Sequence, residues 1–369
     1  LATIERRHLQ AVSRLVLALH TGGKHPLSTV AAVSVAVGAV ACDSGTVTTA
    51  AVPLASIASV SAPFSVDTRI VLVDEDLVCV NNSFEMRVRC VDQRGDLVGI
   101  FGRRGEGPGE FELPPSLVRG PDGTVGAISI NRLAIFTPGG DLVDEITLPV
   151  AFPLPAAKSF DTTLLANYYL GGANMTLVEI DLSSATVLWE RQDIALIAAT
   201  ECGSVALGVA SPSGGWTFPA CQRELAFLDD RDAPTANAIQ SPTYAEEFPS
   251  ERDIAEMQAQ TQTFAFQADL DVYRETPKRN HLRVGSLAYD DEGRLWVATE
   301  RDRARFSYFD LYVGTEHVGS VRIKDRLLGY DLYGSTLAAL VERDPDTDGI
   351  GRRAVDWYDI GDLDFGVGQ

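Results

Sequence analysis

The chain is poor in the residues from which catalytic sites are most often built. It has five histidines, of which only His281 and His317 lie beyond residue 41. It contains no His-Glu-x-x-His and no Gly-x-Ser-x-Gly motif, which mark zinc proteases and α/β-hydrolases. A Ser-His-Asp triad needs a histidine base beside its nucleophile. His281 precedes a predicted strand and is the histidine that could face a central channel; a surface loop histidine is the alternative.

Positive charge is also scarce. The 31 Lys and Arg residues stand against 51 Asp and Glu, which gives a net charge of −20. An acidic surface repels phosphate backbones and anionic lipids, so the composition argues against a nucleic-acid partner. With 45% hydrophobic residues and a mean hydropathy of +0.03, the composition is that of a globular protein.

Cysteine is limited to five positions. Cys79 and Cys90 flank a predicted hairpin turn, and Cys202 and Cys221 flank a second one. An even number of cysteines in an exported protein favours disulfides, so we predict the pairs Cys79–Cys90 and Cys202–Cys221. Zinc binding is the alternative, but no Cys-x-x-Cys pair supports it. The fifth cysteine is Cys42.

The first 41 residues are typical of an export signal rather than of a folded element. Arg6, Arg7, Arg14 and Lys24 precede the uncharged run Leu27–Ala41, which ends in Ala39-Val40-Ala41-Cys42. A membrane helix needs about 20 apolar residues, so this run better fits a secretory signal. Its end resembles a bacterial lipoprotein signal, which implies that Cys42 is lipidated and becomes the first mature residue. The predicted location is a membrane-anchored position facing the periplasm or the cell surface. The alternative is an ordinary signal peptide with an incidental cysteine.

A pattern of alternating apolar residues ending in a large apolar residue and then Asp or Thr recurs six times. The copies are Val91-Asp92, Phe136-Thr137, Ile180-Asp181, Leu228-Asp229, Phe309-Asp310 and Tyr358-Asp359. Their spacings are 45, 44, 48, 81 and 49 residues. Four spacings match one four-stranded unit, and repetition at that period is the signature of a β-propeller. We therefore predict an all-β, six-bladed propeller with four-stranded antiparallel blades.

The turns between strand-like runs set the predicted boundaries. The predicted blades are 66–101, 115–148, 158–191, 194–229, 284–323 and 326–360. Residues 42–65 are a tether or closing segment, and 361–369 form a tail. Residues 230–283 form a partly helical insertion, with a helix over 250–262 capped by Ser250. A long insertion on a propeller face is either functional or a surface elaboration.

Two segments resemble a known family. Phe101–Phe111 followed by Pro114-Pro115, then the Pro121-Asp122-Gly123 turn, resembles the glycine-rich connection of NHL-like propellers. Tyr289–Val297 resembles the Asp-x-x-Gly-x-Leu-Trp-Val strand of the same group. The whole resembles the bacterial six-bladed β-propeller lipoproteins, whose members are mostly uncharacterised. The resemblance implies the fold and says little about activity.

Few residues stand out as ligand contacts. Gly102–Gly109 lacks the Lys-Ser/Thr of a phosphate loop, so its glycines are better explained by a tight connection between blades. Arg103 and Arg104 would attract an anion if they line the channel, or else form a solvated pair. The four tryptophans fit blade packing better than a stacking platform for a ligand; Trp216, which follows Gly-Gly in a turn, is the one that could be exposed.

Two metal hypotheses remain open. Asp344, Asp346 and Asp348 precede Gly349 with the alternate spacing of a calcium loop. The twelfth position is Val355 rather than Glu, and a hairpin loop without metal explains the segment as well. Apart from this Ca²⁺ hypothesis we predict no cofactor. Candidate acids for a channel metal are Glu110, Asp290 and Glu300, which the sequence does not bring together.

Taken together, the sequence favours a binding or scaffold module of the cell envelope. We expect a monomer that binds a protein, peptide or glycan, touches the membrane only through its lipid anchor, and does not bind nucleic acid. The alternative is a metal-dependent, lactonase-like hydrolase or lyase with its site at the channel mouth. An enzyme would bring carboxylates and a histidine together there, whereas a binding module would expose an apolar patch near residues 240–283.

Overall fold

The computed structural model describes residues 50–61, 69–169, 175–192, 200, 207–264, 270–282, 285–303, 305–344, 352–363 and 365. The predicted signal over 1–41, together with Cys42, Cys202, Asp346 and Asp348, lies outside the described residues. Within these ranges, no helix is both long and apolar enough to span a bilayer.

The described chain folds into six sheets, each built on four antiparallel strands. Two short strands, β1 (Val52–Pro53) and β2 (Ala58–Ser61), precede the blades. Blade 1 contains β3 (Ile70–Leu72), β4 (Leu77–Asn82), β5 (Arg87–Asp92) and β6 (Leu97–Phe101). Blade 2 contains β7 (Ser116–Arg119), β8 (Val125–Ser129), β9 (Arg132–Phe136) and β10 (Leu142–Thr147), with a 3₁₀ turn over Pro121–Gly123. Blade 3 contains β11 (Leu154–Pro155), β12 (Thr163–Tyr169), β13 (Met175–Asp181) and β14 (Thr186–Gln192).

The second half of the ring follows the same plan. Blade 4 contains β15 (Val209–Ala210), β16 (Trp216–Ala220), β17 (Glu224–Leu228) and β18 (Asn237–Gln240). Helices α1 (Glu251–Phe264) and α2 (Leu270–Glu275) come next. Blade 5 contains β19 (Leu287–Tyr289), β20 (Leu295–Thr299), β21 (Ser307–Val313) and β22 (Glu316–Ile323). Blade 6 contains β23 (Arg326–Tyr333), β24 (Thr336–Arg343) and β25 (Arg352–Asp359), and β2 is its outermost strand. The predicted six-bladed propeller is confirmed.

The first strand of each blade lies at the centre of the ring. Strand β7 contacts β3 and β11, β19 contacts β15 and β23, and β23 returns to contact β3. The blades therefore follow chain order around a central axis, so blades 3 and 6 are opposite each other.

Alternation along each strand buries both faces of a blade. On β20, Trp296 and Ala298 belong to the apolar cluster shared with blade 6, whereas Leu295 and Val297 belong to the cluster shared with blade 4. Successive side chains of a strand point to opposite faces, so a strand that is apolar at every position suits a sheet packed on both sides. Burial of each such side chain stabilises the fold by about 1.5–3 kcal/mol.

Residues that precede blade 1 close the ring. Strand β2 pairs antiparallel with β25, and Ser59 donates a hydrogen bond to Asp356 at 2.5 Å. Strand β1 adds a fifth, parallel strand to blade 5 through β22. The last two blades are thus completed by residues from the start of the described chain.

The predicted boundary of blade 4 is wrong. Its outermost strand is β18, which lies inside the predicted insertion 230–283, and Phe227 pairs with Asn237 across the sheet. The turn over 229–236 contains Pro234 and is longer than the turns between third and fourth strands in the other blades. Because it is long and polar, it resembled the start of the insertion. The connection between blades 4 and 5 spans residues 241–286 and carries both helices.

The helix cap and one disulfide are confirmed. Ser250 Oγ accepts a hydrogen bond from Asp253 N at 3.3 Å, and Asp253 Oδ2 accepts one from Ser250 N at 2.9 Å, as in a capping box. Cys79 and Cys90 are directly opposed on β4 and β5 and form a disulfide. Cys221 is also disulfide-bonded; its predicted partner, Cys202, is not among the described residues.

Candidate functional site

The two ends of the ring differ in charge. The turns between first and second strands and between third and fourth strands form one end, which we call the acidic face. Its described turns contain Asp74, Glu75, Asp76, Asp96, Asp122, Asp141, Asp161, Asp229, Asp230, Asp232, Asp290, Asp291 and Glu292. Their basic residues are Arg94, Lys158, Arg231 and Arg294. The opposite end carries the helical connection 241–286, and we call it the insertion face.

At the centre of the acidic face, the Arg119 side chain contacts two neighbouring strands, β3 and β23. It ends β7, where its guanidinium pairs with Asp331 at 3.3 Å and donates to the carbonyls of Leu72 at 2.6 Å and Leu332 at 3.2 Å. It also lies over the ring of Tyr333, 4.3 Å from the centroid. The side chains of the ion pair are 11% and 10% exposed. Desolvated pairs of this kind are strongly destabilising to break, because the remaining charge is left buried and unpaired.

Lys158 reaches the same point from blade 3. Its Nζ donates to the Leu332 carbonyl of blade 6 at 3.1 Å. Because these blades are opposite, Lys158 crosses the axis at this end. Arg119, Lys158 and Asp331 with the two leucine carbonyls form what we call the axial clamp, which draws blades 1, 2, 3 and 6 together.

The Lys158 amine lies in an unusual electrostatic setting. Burial lowers its pKa, and the nearby Arg119 cation lowers it further, while Asp331, Asp291 and Asp290 act in the opposite sense. Desolvation disfavours the charged form of a lysine, and here it outweighs the carboxylates.

A cavity of about 190 Å³ opens on the acidic face between blades 5 and 6. Asp291 and Gly334 are on its wall, and the Asp291 carboxylate accepts a hydrogen bond from Gly334 N at 2.7 Å. The remaining lining residues are Asp290, Glu292, Arg294, Ser335, Ile360 and Gly361. The cavity is therefore polar and shares the carboxylates of Asp290 and Asp291 with the surroundings of Lys158.

On the insertion face, the long connection is fastened to blades 5 and 6 by charged groups. Lys278 Nζ pairs with Glu247 at 3.2 Å, and Glu247 accepts hydrogen bonds from Asp302 N in the second-to-third-strand loop of blade 5. Arg252 pairs with Glu342 of blade 6 at 3.0 Å. These contacts fasten Glu247, Arg252 and Lys278 of the insertion to the face.

The helix itself is anchored through Asp253. Arg326 Nη2 lies 3.3 Å from Asp253 Oδ1, and both side chains are almost fully buried. Burial raises the Asp253 pKa, but the Ser250 hydrogen bonds and the Lys278 and Arg326 charges bring it below its ordinary value. The carboxylate therefore stays ionised and couples α1 to blade 6.

Apolar side chains remain in solvent on the docked insertion. Phe248 is 53% exposed and Val272 is 47% exposed, whereas Ile254 and Met257 of α1 are buried. The insertion thus uses one set of apolar residues for packing and leaves another exposed.

A Ser-His-Asp grouping on blade 5 does not have the geometry of a triad. His317 Nε2 is 3.3 Å from Ser320 Oγ and 3.9 Å from Asp310, while Ser320 itself donates to Asp310 at 2.7 Å. In a triad the carboxylate holds the other ring nitrogen and not the serine. Asp310 is fully buried and also pairs with Arg301 at 2.8 Å and accepts a hydrogen bond from Thr243. The cluster fastens blade 5 to the insertion.

Arg103 and Arg104 have different surroundings in the connection between blades 1 and 2. Arg103 pairs with Glu110, which also accepts a hydrogen bond from Gly107 N at 2.9 Å. That backbone hydrogen bond, followed by Arg103, lowers the Glu110 pKa. Arg104 is exposed, and no carboxylate of the described residues forms an ion pair with it. Gly102, at φ +78°, has no room for a Cβ beside the Phe111 ring, which explains a glycine there.

His281 is buried, at 2% exposure, beside β20, where its backbone pairs with Thr299. Burial, with the Arg279 charge, lowers its pKa to about 3, so its ring is neutral near pH 7. Its Nε2 and the Thr299 hydroxyl have no hydrogen-bond partner in the described structure. His281 is therefore not the surface histidine that the sequence allowed.

Trp216 packs inside the blade and is not the exposed tryptophan that its turn allowed. It is 2% exposed, and its ring stacks between Trp189 and Phe218 at centroid distances of 6.4 and 6.1 Å. The preceding glycines form the turn, and Trp216 begins β16, whose five residues are all buried.

The candidate acids do not converge. Asp290 and Glu300 lie at opposite ends of β20, which separates them by about 16 Å at 3.3 Å per residue. Asp290 accepts hydrogen bonds from Arg294 Nε at 2.7 Å and Trp296 Nε1 at 2.8 Å, a structural role. Among the described residues, no group of three or more His, Cys, Asp or Glu side chains is arranged to hold a metal ion. Asp344 lies 3.5 Å from Arg252, and its predicted calcium partners lie outside the described ranges.

Comparisons with known proteins add little to this description. No protein-family model matches the chain, and no curated protein matches it. Among solved structures, a luciferin-regenerating enzyme aligns at 11% identity with a TM-score of 0.46, covering 82% of this chain and 95% of that protein. A Bacteroides fragilis protein described as exported aligns at 12% identity with a TM-score of 0.46, covering 82% and 94%. Regucalcin from Agrobacterium tumefaciens, described as calcium-binding, aligns at 13% identity with a TM-score of 0.45, covering 85% and 97%.

Sequence reasoning did not find the axial clamp. Arg119, Lys158 and Asp331 are in different blades, and each is an isolated charge in its own segment. The available signal was positional: Arg119 immediately precedes the Gly120–Thr124 turn, and a charge at the inner end of a first strand lies next to the axis.

Proposed function

We propose that this protein is a lipid-anchored, monomeric propeller of the cell envelope that binds a protein, peptide or glycan ligand on its insertion face. The observation that supports it is the docked insertion, which is fastened by ion pairs while Phe248 and Val272 remain exposed. A rigid scaffold that holds an exposed aromatic side chain is suited to binding, since such residues dominate interface energetics.

The binding proposal is tested by site-specific crosslinking in the native host. A photoreactive phenylalanine analogue replaces Phe248 in one strain and Phe152 in another. Phe152 is a matched control, because it is 54% exposed and lies in another connection of the same face. We expect a discrete crosslinked product from position 248 only. Equal products from both positions, or none from 248, would count against this site.

A quantitative measurement follows once the product is identified. Phe248→Ala should weaken binding of the purified ligand at least about tenfold, as expected for an interface anchor. Phe152→Ala should leave the affinity unchanged. If the crosslinked species is a glycan rather than a polypeptide, the same pair of variants tests it by titration with the soluble fragment.

The anchor is tested separately. If Cys42 is lipidated, the wild-type protein partitions with membranes and Cys42→Ser releases it in soluble form. Wild-type protein in the soluble fraction, or equal membrane association of the wild type and the Cys42→Ser variant, would reject the lipoprotein proposal and leave the fold unaffected.

A further inference from the structure

The outer strands of blades 1, 2 and 3 carry exposed aliphatic residues at equivalent places. Each of β6, β10 and β14 has a β-bulge close to the turn that precedes it. The extra residue of each bulge and the residue before it are both exposed and apolar, and the three pairs are Leu97-Val98, Leu142-Val143 and Val187-Leu188. An edge strand with exposed aliphatic side chains is a surface on which another polypeptide can pair.

The outer edge of blade 2 is open. In blade 5 the corresponding edge of β22 is covered, because β1 adds to it as a fifth strand. Strand β10 is the terminal strand of blade 2, and no other strand of the described chain pairs with its outer edge. Beyond the bulge, Asp144 to Thr147 keep a regular antiparallel register with β9. A regular terminal strand presents N–H and C=O groups that a further strand can bind, as in β-strand addition.

Blade 1 extends this surface. The turn over 137–140 of blade 2 packs directly on β6, because a Cβ added to Gly99 would collide with the Pro138 carbonyl oxygen. The aliphatic pairs of the two blades lie on either side of this contact. Their four side chains, which we call the blade 1–2 edge, are 55%, 42%, 40% and 57% exposed for Leu97, Val98, Leu142 and Val143.

The charges beside these residues indicate what kind of partner fits. Asp141 and Asp144 flank the blade 2 pair, both are exposed, and neither takes part in an ion pair with the described residues. Segments 92–101 and 136–147 together contain five carboxylates against one arginine, a net charge of −4. Two copies of this edge would bring like charges opposite each other, and anionic lipids would be repelled. The charge therefore favours a basic partner over a second copy of the chain or a membrane surface.

Blade 3 has the same aliphatic pair without the same charges. The turn over 182–185 before β14 contains no charged residue. Asp181, at its start, accepts hydrogen bonds from Ser183 N at 2.8 Å and from Ser183 Oγ at 2.7 Å. Blade 3 is therefore an internal control in which the apolar contribution is present and the flanking free carboxylates are absent.

We propose that the blade 1–2 edge is a docking surface for an extended, basic polypeptide segment in which Lys or Arg alternates with apolar residues. The segment adds to β10 as a fifth strand, as β1 adds to β22 in blade 5. Its apolar side chains contact the blade 1–2 edge, and its cations pair with Asp141 and Asp144. This surface lies on the outside of the ring and does not include Phe248, so it is additional to the proposed binding function.

The test uses the full-length protein and three fluorescent ten-residue peptides, built from alternating Leu and Lys, Ser and Lys, or Leu and Glu. By anisotropy, we expect the Leu/Lys peptide to bind, the Ser/Lys peptide to bind at least tenfold more weakly, and the Leu/Glu peptide not to bind. Hydrogen exchange over 142–147 should slow when the Leu/Lys peptide is bound. Absence of Leu/Lys binding, equal binding of the Ser/Lys peptide, or unchanged exchange over 142–147 would overturn the proposal.

A matched pair of variants locates the surface. Leu142→Ser/Val143→Ser should weaken binding of the Leu/Lys peptide at least tenfold. Val187→Ser/Leu188→Ser should leave the affinity unchanged, although these side chains are 37% and 56% exposed on the same kind of bulge. Equal losses in the two variants would overturn the proposal, since apolar exposure alone would then explain binding.

Two further arms test the charge and the occupant. Asp141→Asn/Asp144→Asn should weaken binding and reduce its dependence on salt, and an unchanged salt dependence would refute a basic partner. Sedimentation should give a monomer at all concentrations; a dimer that Leu142→Ser/Val143→Ser abolishes would identify a second copy as the occupant and overturn the proposal. Phe248→Ala should leave peptide binding unchanged, so this test and that of the insertion face can fail independently.

Discussion

The two ends of the propeller are held by different kinds of contact. At the acidic face, Arg119 and Lys158 converge on the axis and join blades that are far apart in the chain. At the insertion face, the contacts tie residues 241–286 to the neighbouring blades 5 and 6, and one of them, Asp253–Arg326, is buried. The acidic face therefore holds the closed ring together, whereas the insertion face holds the helical insertion onto the ring.

The largest difference between the ends should come from their arginines. Arg119→Met leaves Asp331 buried without its cation and should destabilise the protein by about 3–5 kcal/mol. Arg252→Met, at the insertion face, removes a more exposed pair and should cost less than about 1 kcal/mol. Urea denaturation of both variants measures the effects. Equal costs would show that the two ends are equivalent.

The Cys79–Cys90 disulfide is a covalent contact whose contribution to stability can be compared with that of the axial clamp. Cys79 and Cys90 are 11 residues apart, and closing a loop of that size stabilises the folded state by about 3 kcal/mol. The Cys79→Ala/Cys90→Ala double variant should therefore lose somewhat less stability than Arg119→Met. The two losses of stability are compared from urea midpoints measured with and without reductant. A larger loss in the disulfide variant would show that the disulfide stabilises the fold more than the axial clamp does.

A smaller and local effect is expected at the capping box of α1. Ser250→Ala removes one half of the box, leaves the buried Asp253–Arg326 pair in place, and should weaken the helix by about 1–2 kcal/mol. Hydrogen exchange should become faster over 251–264 while the blades remain protected. Because the folded-state pKa of Asp253 is below its ordinary value of 3.8, this stabilisation is present above that pH and is lost as the pH falls through the folded pKa. Faster exchange in all blades would contradict a merely local role.

The smallest effect at neutral pH is expected at Lys158. Its folded-state pKa is below the ordinary value of 10.5, so the unfolded chain binds more protons in the window just beneath that value. Stability from this group therefore rises with pH across that window. Lys158→Met should remove the rise while changing stability at pH 7 by no more than about 1 kcal/mol. Urea midpoints of the wild type and Lys158→Met, measured from about pH 7 to the ordinary lysine value of 10.5, test this prediction. If stability changes with pH equally in both proteins, the amine titrates normally.

The features predicted correctly depend on residues that are close together in the sequence. The repeat predicted six blades because the apolar residue of each of the six pairs lies on a third strand. Cys79 faces Cys90 because a short hairpin leaves no other register. The features that were missed depend on chain closure. Asp331 follows Arg119 by 212 residues, and only the closed ring brings them to 3.3 Å.

Local rules also explain the errors. A Gly-Gly turn before Trp216 left an exposed side chain open, but the side chain that follows the turn points between blades 3 and 4. Pro234 suggested the end of blade 4, although it lies in a turn that leads to β18. In both places, packing against a neighbouring blade overrides the local turn signal.

The closure by β2 has a consequence for how the protein reaches its native state. Ser59 and Asp356 are 297 positions apart, so the last blade has to wait for the ribosome to complete almost the whole chain. Contacts this distant in the sequence make folding slow. Moving residues 58–61 behind residue 363 would turn this closure into an ordinary hairpin, and the permuted chain should then refold faster than the parent.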